Sequence, residues 1–221
     1  MTEPGELQTR SWSDNAERWT AAVRGKTIAS RREATDAAIL AAAHAGPIGK
    51  VLDVGCGEGW LCRALQHSAR EIVGVDVSPE LVSRARGAGG ATYLVSSYAE
   101  LCAEPARAGS GFDTIICNFS LLDDRLEPLL DALASISAPR GRLLIQTLHP
   151  LAMAPPYEDG WRVEAFEKFG DDGWTPMPYF ARTFGSWIDA ISRKWALKRL
   201  LEPRIPSTPI PASLLFVAER R

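Results

Sequence analysis

The feature that most constrains this chain is a glycine-rich loop at the end of a short apolar strand. The stretch VLDVGCGEGWLCRAL begins at Val51, contains Gly55, Gly57 and Gly59, and continues directly into a helical pattern. Glycine adopts positive φ angles and leaves the backbone bare, so a ligand can lie against the N–H groups at the helix start. The dinucleotide fingerprint has its third glycine one position later and needs a small residue where Trp60 stands. The loop therefore predicts a nucleotide-like ligand of another kind.

Two carboxylates bracket this loop. Asp53 lies inside the first predicted strand, and Asp76 ends the second. An acid at the tip of the second strand can accept hydrogen bonds from both ribose hydroxyls, which nicotinamide and adenosyl cofactors share. The alternative for Asp76 is a helix-capping role, which Ser78 fills better, and for Asp53 it is a polar side chain that faces a loop. We favour cofactor contact for both.

Strands and helices alternate over most of the chain, which predicts parallel β-α-β units in an α/β fold whose sheet is covered on both faces. Two successive strands near the C-terminus, with no helix between them, indicate an antiparallel hairpin. Strands are predicted at 51–54, 71–76, 92–95, 112–118, 142–149, 196–203 and 213–219, and helices at 14–45 (two pieces broken near Gly25), 60–68, 79–86, 125–137 and 185–194.

Composition excludes some classes of partner. The net charge of −2 and the pI near 6.0 argue against general attraction to nucleic acid or anionic membrane. The first residues lack a signal-peptide pattern, and no run approaches the roughly 20 apolar residues of a membrane helix. We therefore expect a cytoplasmic protein without a membrane or nucleic-acid partner. A basic stretch from Arg193 to Arg204 keeps a nucleic-acid substrate open as an alternative.

Cysteine and histidine spacing gives no metal-binding pattern. The four cysteines form no CxxC pair, and the three histidines share no ligand spacing with them. Cys56, Cys102 and Cys117 sit in or beside apolar runs, and we predict that they are small buried hydrophobic residues in a reducing compartment; we predict no metal. The cysteines are Cys56, Cys62, Cys102 and Cys117.

The motifs LDVGCGEG, VGVD, FDTIICN and PRGRLLIQT together resemble those of class I S-adenosylmethionine-dependent methyltransferases, over residues 50–150. The N-terminal SDNAERW, with Trp12 and Trp19, is similar to the lid helices of many such enzymes. The resemblance implies a Rossmann-like three-layer sandwich with a mostly parallel seven-stranded sheet and an antiparallel C-terminal strand. It implies one domain, 1–221, made of lid helices (1–46), a cofactor-binding core (47–150), a substrate-cover insertion after the fifth strand (151–187), and a C-terminal helix and strand pair (188–221).

The resemblance also assigns roles to single residues. The loop glycines with Cys56 approach the methionine part of S-adenosyl-L-methionine, Asp53 helps to hold its ammonium, and Asp76 takes the ribose. Ser97, followed by Tyr98, stands where family members often have an aspartate for the adenine amino group, so that contact is open. The predicted cofactor-binding residues are Asp53, Gly55, Cys56, Gly57, Gly59, Asp76, Val77 (over the adenine), Ser97, Tyr98 and Asn118 (on the methyl-transfer face); the predicted product is S-adenosyl-L-homocysteine.

The acceptor is predicted to be a small, planar or aromatic molecule that is methylated on oxygen or nitrogen. His149 stands at the end of the predicted fifth strand and is the candidate general base, although it could instead pack or cap before Pro150. Aromatic residues of 150–187 could sandwich a flat acceptor, or form a cluster that holds the long loop in place. The predicted substrate-binding residues are Trp19, Tyr179 and Arg182.

Three rival functions stay open at this point. An NAD(P)-dependent oxidoreductase shares the sheet and the ribose acid, and the loop spacing with Trp60 argues against it. A tRNA, rRNA or protein methyltransferase would use the basic stretch near the C-terminus. A module that binds the cofactor without catalysis is excluded by no residue in the sequence.

Overall fold

The computed structural model describes residues 3–169 and 173–221, and its centre is a seven-stranded sheet. Two further strands form a separate hairpin. The strands are β1 (Lys50–Val54), β2 (Glu71–Asp76), β3 (Thr92–Val95), β4 (Phe112–Asn118), β5 (Ser137–Thr147), β6 (Gly160–Glu164), β7 (Met177–Ala181), β8 (Trp195–Leu201) and β9 (Leu214–Arg220).

The strand order of the large sheet is β3-β2-β1-β4-β5-β9-β8. The first five strands in this order are parallel to one another, and β9 is antiparallel to both β5 and β8. The predicted mostly parallel sheet with an antiparallel C-terminal strand is therefore confirmed. The chain order reverses between β1 and β4, and in such sheets ligands bind outside the carboxyl ends of the strands at this switch point.

Helices cover both faces of this sheet, which makes three layers. Alternate residues of one strand enter different cores: Ile115 packs in a cluster with helices α6, α7 and α8, whereas Ile116 packs in a cluster with α3, α4 and α5. A strand buried on both faces needs a continuous apolar run, which Ile115–Cys117 provide at the centre of β4. The helices are α1 (Pro4–Asp14), α2 (Ala16–Arg24), α3 (Asp36–His44), α4 (Trp60–Leu65), α5 (Pro79–Ala88), α6 (Tyr98–Ala103), α7 (Glu127–Ile136) and α8 (Phe184–Ser192).

The N-terminal region differs from the sequence-based prediction. The predicted helical region 14–45 accounts for α2 and α3, but α1 is an additional helix that packs against β7. Its sequence, PGELQTRSWSD, is largely polar, so its stability comes from this contact rather than from an apolar stripe. A π-helical stretch, Arg31–Thr35, leads into α3.

The insertion after β5 contains regular structure that the sequence did not predict. Its strands β6 and β7 pair antiparallel, with Trp161 opposite Phe180. The ring centroids of this pair are 5.6 Å apart in an edge-to-face arrangement. The predicted cover is therefore a folded hairpin that lies against the N-terminal helices.

The structure also tests the predictions about the cysteines and about membrane-spanning helices. Cys56 and Cys117 are buried free thiols as predicted, and Cys62 is buried as well, whereas the prediction for Cys102 is wrong because this thiol is partly exposed. Among the described residues, no helix has both the length and the apolar character needed to cross a membrane.

The assignment of Ser78 as the N-cap of α5 can be tested by mutation. The Ser78 hydroxyl is buried and accepts the Leu81 N–H at 3.2 Å. Ser78→Ala removes this bond and should lower the free energy of unfolding by about 1 kcal/mol in urea denaturation. Ser83→Ala, on the exposed side of the same helix, is the control and should cause no loss. Equal losses in both variants would contradict the capping role.

Candidate active site

One cavity of about 460 Å³ opens above the carboxyl ends of the parallel strands. The glycine loop and the ends of β2 and β4 form its floor, and α1, α2 and the β6–β7 hairpin form its roof. Among the predicted site residues, the cavity is lined by Trp19, Gly55, Cys56, Gly57, Asp76, Val77, Ser97, Tyr98, Asn118 and Tyr179. The fold therefore brings most of the predicted site together.

The glycine loop explains why side chains are missing at the end of β1. Gly55, Gly57 and Gly59 have φ angles of 75°, 55° and 81°, in the left-handed region. A Cβ atom on Gly55 would lie 2.2 Å from the Ser120 Cβ, so Gly55 is needed for packing. A Cβ on Gly57 would meet only the Trp19 Nε1, at 3.7 Å, and would project into the open cavity. This is the bare backbone that the predicted cofactor requires.

Asp76 holds this loop in place. Its carboxylate accepts the N–H of Gly57 at 2.8 Å and the N–H of Ser78 at 2.9 Å. The cap of α5 is the Ser78 hydroxyl, so the capping alternative for Asp76 does not apply. Burial is the main cause that raises the pKa of Asp76, opposed by these N–H groups. The side chain also lines the cavity, where the predicted ribose contact would form.

Asp53 is not on the cavity surface. Its carboxylate is only 2% exposed, and the Cys62 thiol donates to it at 3.4 Å. Burial raises the pKa of Asp53 to about 7, an effect that the Cys62 bond partly offsets and the charge of Asp76 reinforces. The structure therefore places Asp53 beneath the loop, where it supports the loop rather than facing a ligand.

The position predicted for an adenine contact begins a helix. The Ser97 hydroxyl accepts the N–H of Glu100 at 3.2 Å, and the Glu100 carboxylate accepts the Ser97 N–H at 2.8 Å. This capping box engages both the hydroxyl and the N–H of Ser97, and the Ser97 carbonyl accepts the Leu101 N–H at 3.0 Å, so the adenine contact predicted for Ser97 stays open. Tyr98 donates its hydroxyl to the Ser120 carbonyl, and burial raises its pKa well above the ordinary value.

Asn118 is oriented by a buried glutamine. The Gln146 amide nitrogen donates to the Thr35 carbonyl at 3.0 Å and to the Asn118 Oδ1 at 2.8 Å. Because the Thr35 carbonyl can only accept, it fixes which end of the Gln146 amide points to Asn118. Within the described part of the chain, the Asn118 amide nitrogen is therefore the atom left to bond a ligand.

Glu58 is a site residue that sequence reasoning missed. Its side chain is fully buried at the cavity wall, and its carboxylate accepts hydrogen bonds from Arg24 and Arg63, each at 2.7 Å. These ion pairs join the glycine loop to α2 and α4. The sequence gives little signal for them, because Arg24 lies 34 residues before Glu58.

Arg31 is the second missed residue. Its guanidinium stacks over the Trp60 ring at 4.6 Å, and its Nε donates to Asp36 at 3.0 Å. Its Nη2 is buried and has no hydrogen-bond partner among the described residues, although Arg31 lines the cavity. Trp60, the large residue that departs from the dinucleotide fingerprint, therefore forms a cation–π contact with the Arg31 guanidinium.

Aromatic rings line the opposite part of the cavity. Trp19 lies 5.3 Å from Trp12 and 6.0 Å from Phe169, measured between ring centroids. Tyr179 also lines the cavity, and its pKa is raised by burial and by the charge of Glu164. Phe166, Leu122 and Met177 form a small core behind these rings. The aromatic segment therefore lines the cavity and also packs the insertion, while its contact with a flat acceptor stays a prediction.

The two parts of the roof are clasped by buried polar groups. Asn15 donates to the Thr175 carbonyl at 2.8 Å and accepts the Thr175 N–H at 2.9 Å. The Ser11 hydroxyl donates to the same carbonyl at 2.9 Å. Both Ser11 and Asn15 are buried, so these bonds hold the insertion against α1 over the cavity.

His149 and Arg182 lie outside the cavity lining. The His149 Nδ1 accepts the Leu151 N–H at 3.2 Å, and its Nε2 lies 2.9 Å from Glu202 Oε1, so the buried ring has both nitrogens engaged. This arrangement corresponds to the packing and capping alternative. Arg182 is likewise engaged away from the cavity. Its guanidinium is buried, donates to the Asp124 carbonyl at 2.7 Å and stacks on aromatic rings, so the predicted substrate contact of Arg182 is not supported.

Comparisons with known proteins agree with this geometry. A family described as a methyltransferase domain matches residues 27–200. The chain is 37% identical over 124 residues to a ubiquinone biosynthesis O-methyltransferase of Xanthomonas campestris (52% of this chain, 50% of that protein). It is 34% identical over 107 residues to a protein of the same name from Xylella fastidiosa (45% and 42%). The chain thus spans about half the length of these curated relatives.

Solved structures show the same fold. An S-adenosylmethionine-dependent methyltransferase of Mesorhizobium loti superposes with a TM-score of 0.62 at 23% identity, covering 88% of this chain and 99% of that one. One of Clostridium acetobutylicum has a TM-score of 0.66 at 13% identity, covering 93% and 98%. The predicted Rossmann-like sandwich is therefore the fold of these structures.

The glycine loop predicts a contrast between two alanine variants. Gly57→Ala places a methyl group in the cavity and should weaken the binding of S-adenosyl-L-homocysteine about tenfold or more, while the protein still folds. Gly55→Ala is the matched control: its methyl group collides with Ser120, so it should mainly lower the melting temperature. Calorimetric titration and thermal unfolding measure both. Unchanged affinity of Gly57→Ala for S-adenosyl-L-homocysteine would contradict the prediction that the cofactor lies against the Gly57 backbone.

Burial of Asp53 predicts a pH-dependent stability. Because its pKa is raised to about 7 from an ordinary value of 3.8, the folded state retains a proton that the unfolded state loses. The contribution to stability is complete below about pH 4 and is lost as pH rises to about 7, by up to roughly 4 kcal/mol. Asp53→Asn removes this loss, so its stability relative to wild type should rise across that interval.

Urea denaturation between pH 4 and pH 8 checks this expectation. Asp14→Asn removes a carboxylate from the partly exposed end of α1 and is the control, with no comparable pH-dependent gain. If Asp53→Asn and Asp14→Asn follow wild type in parallel at every pH, the buried carboxylate does not titrate as described.

Proposed function

Because the chain belongs to the methyltransferase-domain family, we propose that it transfers the methyl group of S-adenosyl-L-methionine to a small acceptor. The observation that carries the proposal is a single cavity in which bare glycine backbone and Asp76 stand opposite a group of aromatic rings. The acceptor atom is an oxygen or a nitrogen of a planar or aromatic molecule, and the product is S-adenosyl-L-homocysteine.

The residues present fit the proposed cofactor at its two polar ends. Gly57 offers backbone with room beside it, and Asp76 offers a carboxylate on the cavity surface for ribose hydroxyls. Arg31 Nη2 and the Asn118 amide nitrogen are donors that could hold the methionine carboxylate. Val77 and Ser97 line the same cavity and are the proposed neighbours of the adenine.

Positioning accounts for most of the proposed catalysis. The bound cofactor supplies a methyl group on a sulfonium, which is already strongly electrophilic. The chain's task is to hold the acceptor atom in line at about 3–3.5 Å and to keep water out. Trp19 and Tyr179 face the cavity from the roof and are the proposed acceptor contacts. His149 is not proposed as the base, since both of its nitrogens are engaged away from the cavity.

Size and charge favour a small acceptor over a polymer. The cavity of about 460 Å³ is recessed beneath the clasped roof. In the basic C-terminal stretch, Arg193 pairs with Asp131 at 3.4 Å and Lys198 pairs with Glu219 at 3.8 Å. These pairs support a solvated face rather than a nucleic-acid surface. The relatives named for ubiquinone biosynthesis favour an O-methyl product, since their names specify an O-methyltransferase.

The proposal is tested first by cofactor choice. In calorimetric titrations, S-adenosyl-L-homocysteine should bind and NAD should show no heat of binding. Methyl transfer from labelled S-adenosyl-L-methionine to a panel of small phenols and amines then separates an enzyme from a module that only binds. Tight binding of NAD, or binding of neither ligand, would contradict the proposal.

Asp76 is the residue whose change should affect binding most. Asp76→Asn keeps the size of the side chain but removes the charge that would accept the ribose hydroxyls, so affinity for S-adenosyl-L-homocysteine should fall about 10- to 100-fold. Asp113→Asn is the matched control, because that carboxylate bonds the Lys50 N–H at the other end of the sheet. Equal affinities of Asp76→Asn and wild type would remove Asp76 from the binding site.

A further inference from the structure

Three carboxylates in the cavity lining form no salt bridge among the described residues. They are Glu6 on α1, Asp123 after β4 and Glu164 at the end of β6. The other lining acids are already engaged: Glu58 is held by two arginines, and Asp76 accepts two backbone N–H groups. The roof side of the cavity therefore carries three carboxylates that no salt bridge within the described part of the chain neutralises, although Arg125 and Arg182 lie close enough to act on the charge of Asp123.

Cations are scarce on the same surface. No lysine or histidine of the described residues lines the cavity, and Arg31 is its sole lining cation. Arg31 is paired with Asp36 and stacked on Trp60, beside the glycine loop rather than under the hairpin. An acceptor that carries a carboxylate or phosphate would meet uncompensated repulsion from the three acids.

Aromatic faces accompany these acids. Trp19 packs against both Trp12 and Phe169, and Phe166 lies 5.4 Å from Phe169. All four rings line the cavity. Glu164 is tied to this group, because its Oε1 accepts the Phe166 N–H at 2.7 Å and leaves the second oxygen for another donor. Carboxylates set among aromatic faces attract an ammonium group attached to an apolar body.

We infer that the methyl acceptor is a small aromatic or apolar amine, which binds as its ammonium form among the aromatic rings and the carboxylates of Asp123 and Glu164 and is methylated on nitrogen. This inference rests on the proposed methyltransferase function and specifies its substrate class. It departs from the O-methyl product that the names of the curated relatives favour.

The reaction balances without another reactant. The ammonium first gives one proton to a carboxylate, from which it passes to water. The nitrogen lone pair of the amine then forms the bond to the methyl carbon, and the electrons of the breaking carbon–sulfur bond return to sulfur, leaving a neutral thioether. The product nitrogen is a methylated ammonium. Burial raises the pKa of Asp123, which makes this half-buried carboxylate the better of the two proton acceptors.

The test compares matched probes on protein saturated with S-adenosyl-L-homocysteine. Phenethylamine and 3-phenylpropionate have the same ring and similar length but opposite charges, and quenching of tryptophan fluorescence reports entry because Trp12 and Trp19 line the cavity. Phenethylamine should bind at least about tenfold tighter than 3-phenylpropionate. In the variant carrying Asp123→Asn and Glu164→Gln, this preference should disappear. Glu158→Gln, an exposed acid of the same insertion outside the lining, should keep it.

Tyramine provides the second readout, because it carries an amine and a phenol in one molecule. With labelled S-adenosyl-L-methionine, mass spectrometry should place any new methyl group on nitrogen. Equal or tighter binding of 3-phenylpropionate, absence of binding by phenethylamine, or methylation of the tyramine oxygen would overturn the inference. Saturation with S-adenosyl-L-homocysteine is measured beforehand, so loss of that binding would count against the proposed function instead.

Discussion

The structure of the site depends on the left-handed backbone of the glycine loop. Gly55 and Cys56 donate their N–H groups to the Val75 carbonyl, at 2.8 and 3.0 Å, and Asp76 accepts the Gly57 N–H. These bonds join the ends of β1 and β2, so one loop conformation fixes where a ligand can lie. A side chain at Gly55 would collide with Ser120, so the loop also limits where the chain can run after β4.

Charge and packing connect this loop to the roof of the cavity. Glu58, in the loop itself, pairs with Arg24 of α2, while Asn15 ties the preceding helix to Thr175 in the insertion. The Glu58 side chain is fully buried, so its arginine partners neutralise a charge that would be costly to bury alone, and the Arg24 pair joins the loop to the roof. The N-terminal helices are therefore part of the site, and both cofactor and acceptor would contact them.

Local signals predicted the core of the fold. The strands predicted at 71–76, 92–95 and 112–118 have the same bounds in the structure, because each contains a short apolar run that marks it in the sequence. Helix α1 and the β6–β7 hairpin were missed, since each is stabilised by the other across 160 residues of sequence. His149 illustrates the same limit: it was predicted to end the fifth strand, whereas β5 ends at Thr147, and its burial against Glu202 and Phe184 depends on contacts that its neighbours in sequence do not reveal.

The most direct test of the central claim is a crystal structure of the protein with S-adenosyl-L-homocysteine bound. The account predicts density across the cavity floor, with the homocysteine part against the Gly57 backbone and the ribose hydroxyls on the Asp76 carboxylate. Density for the ligand at another place, or contacts to the ribose made by a different side chain while Asp76 bonds only to the loop, would contradict it.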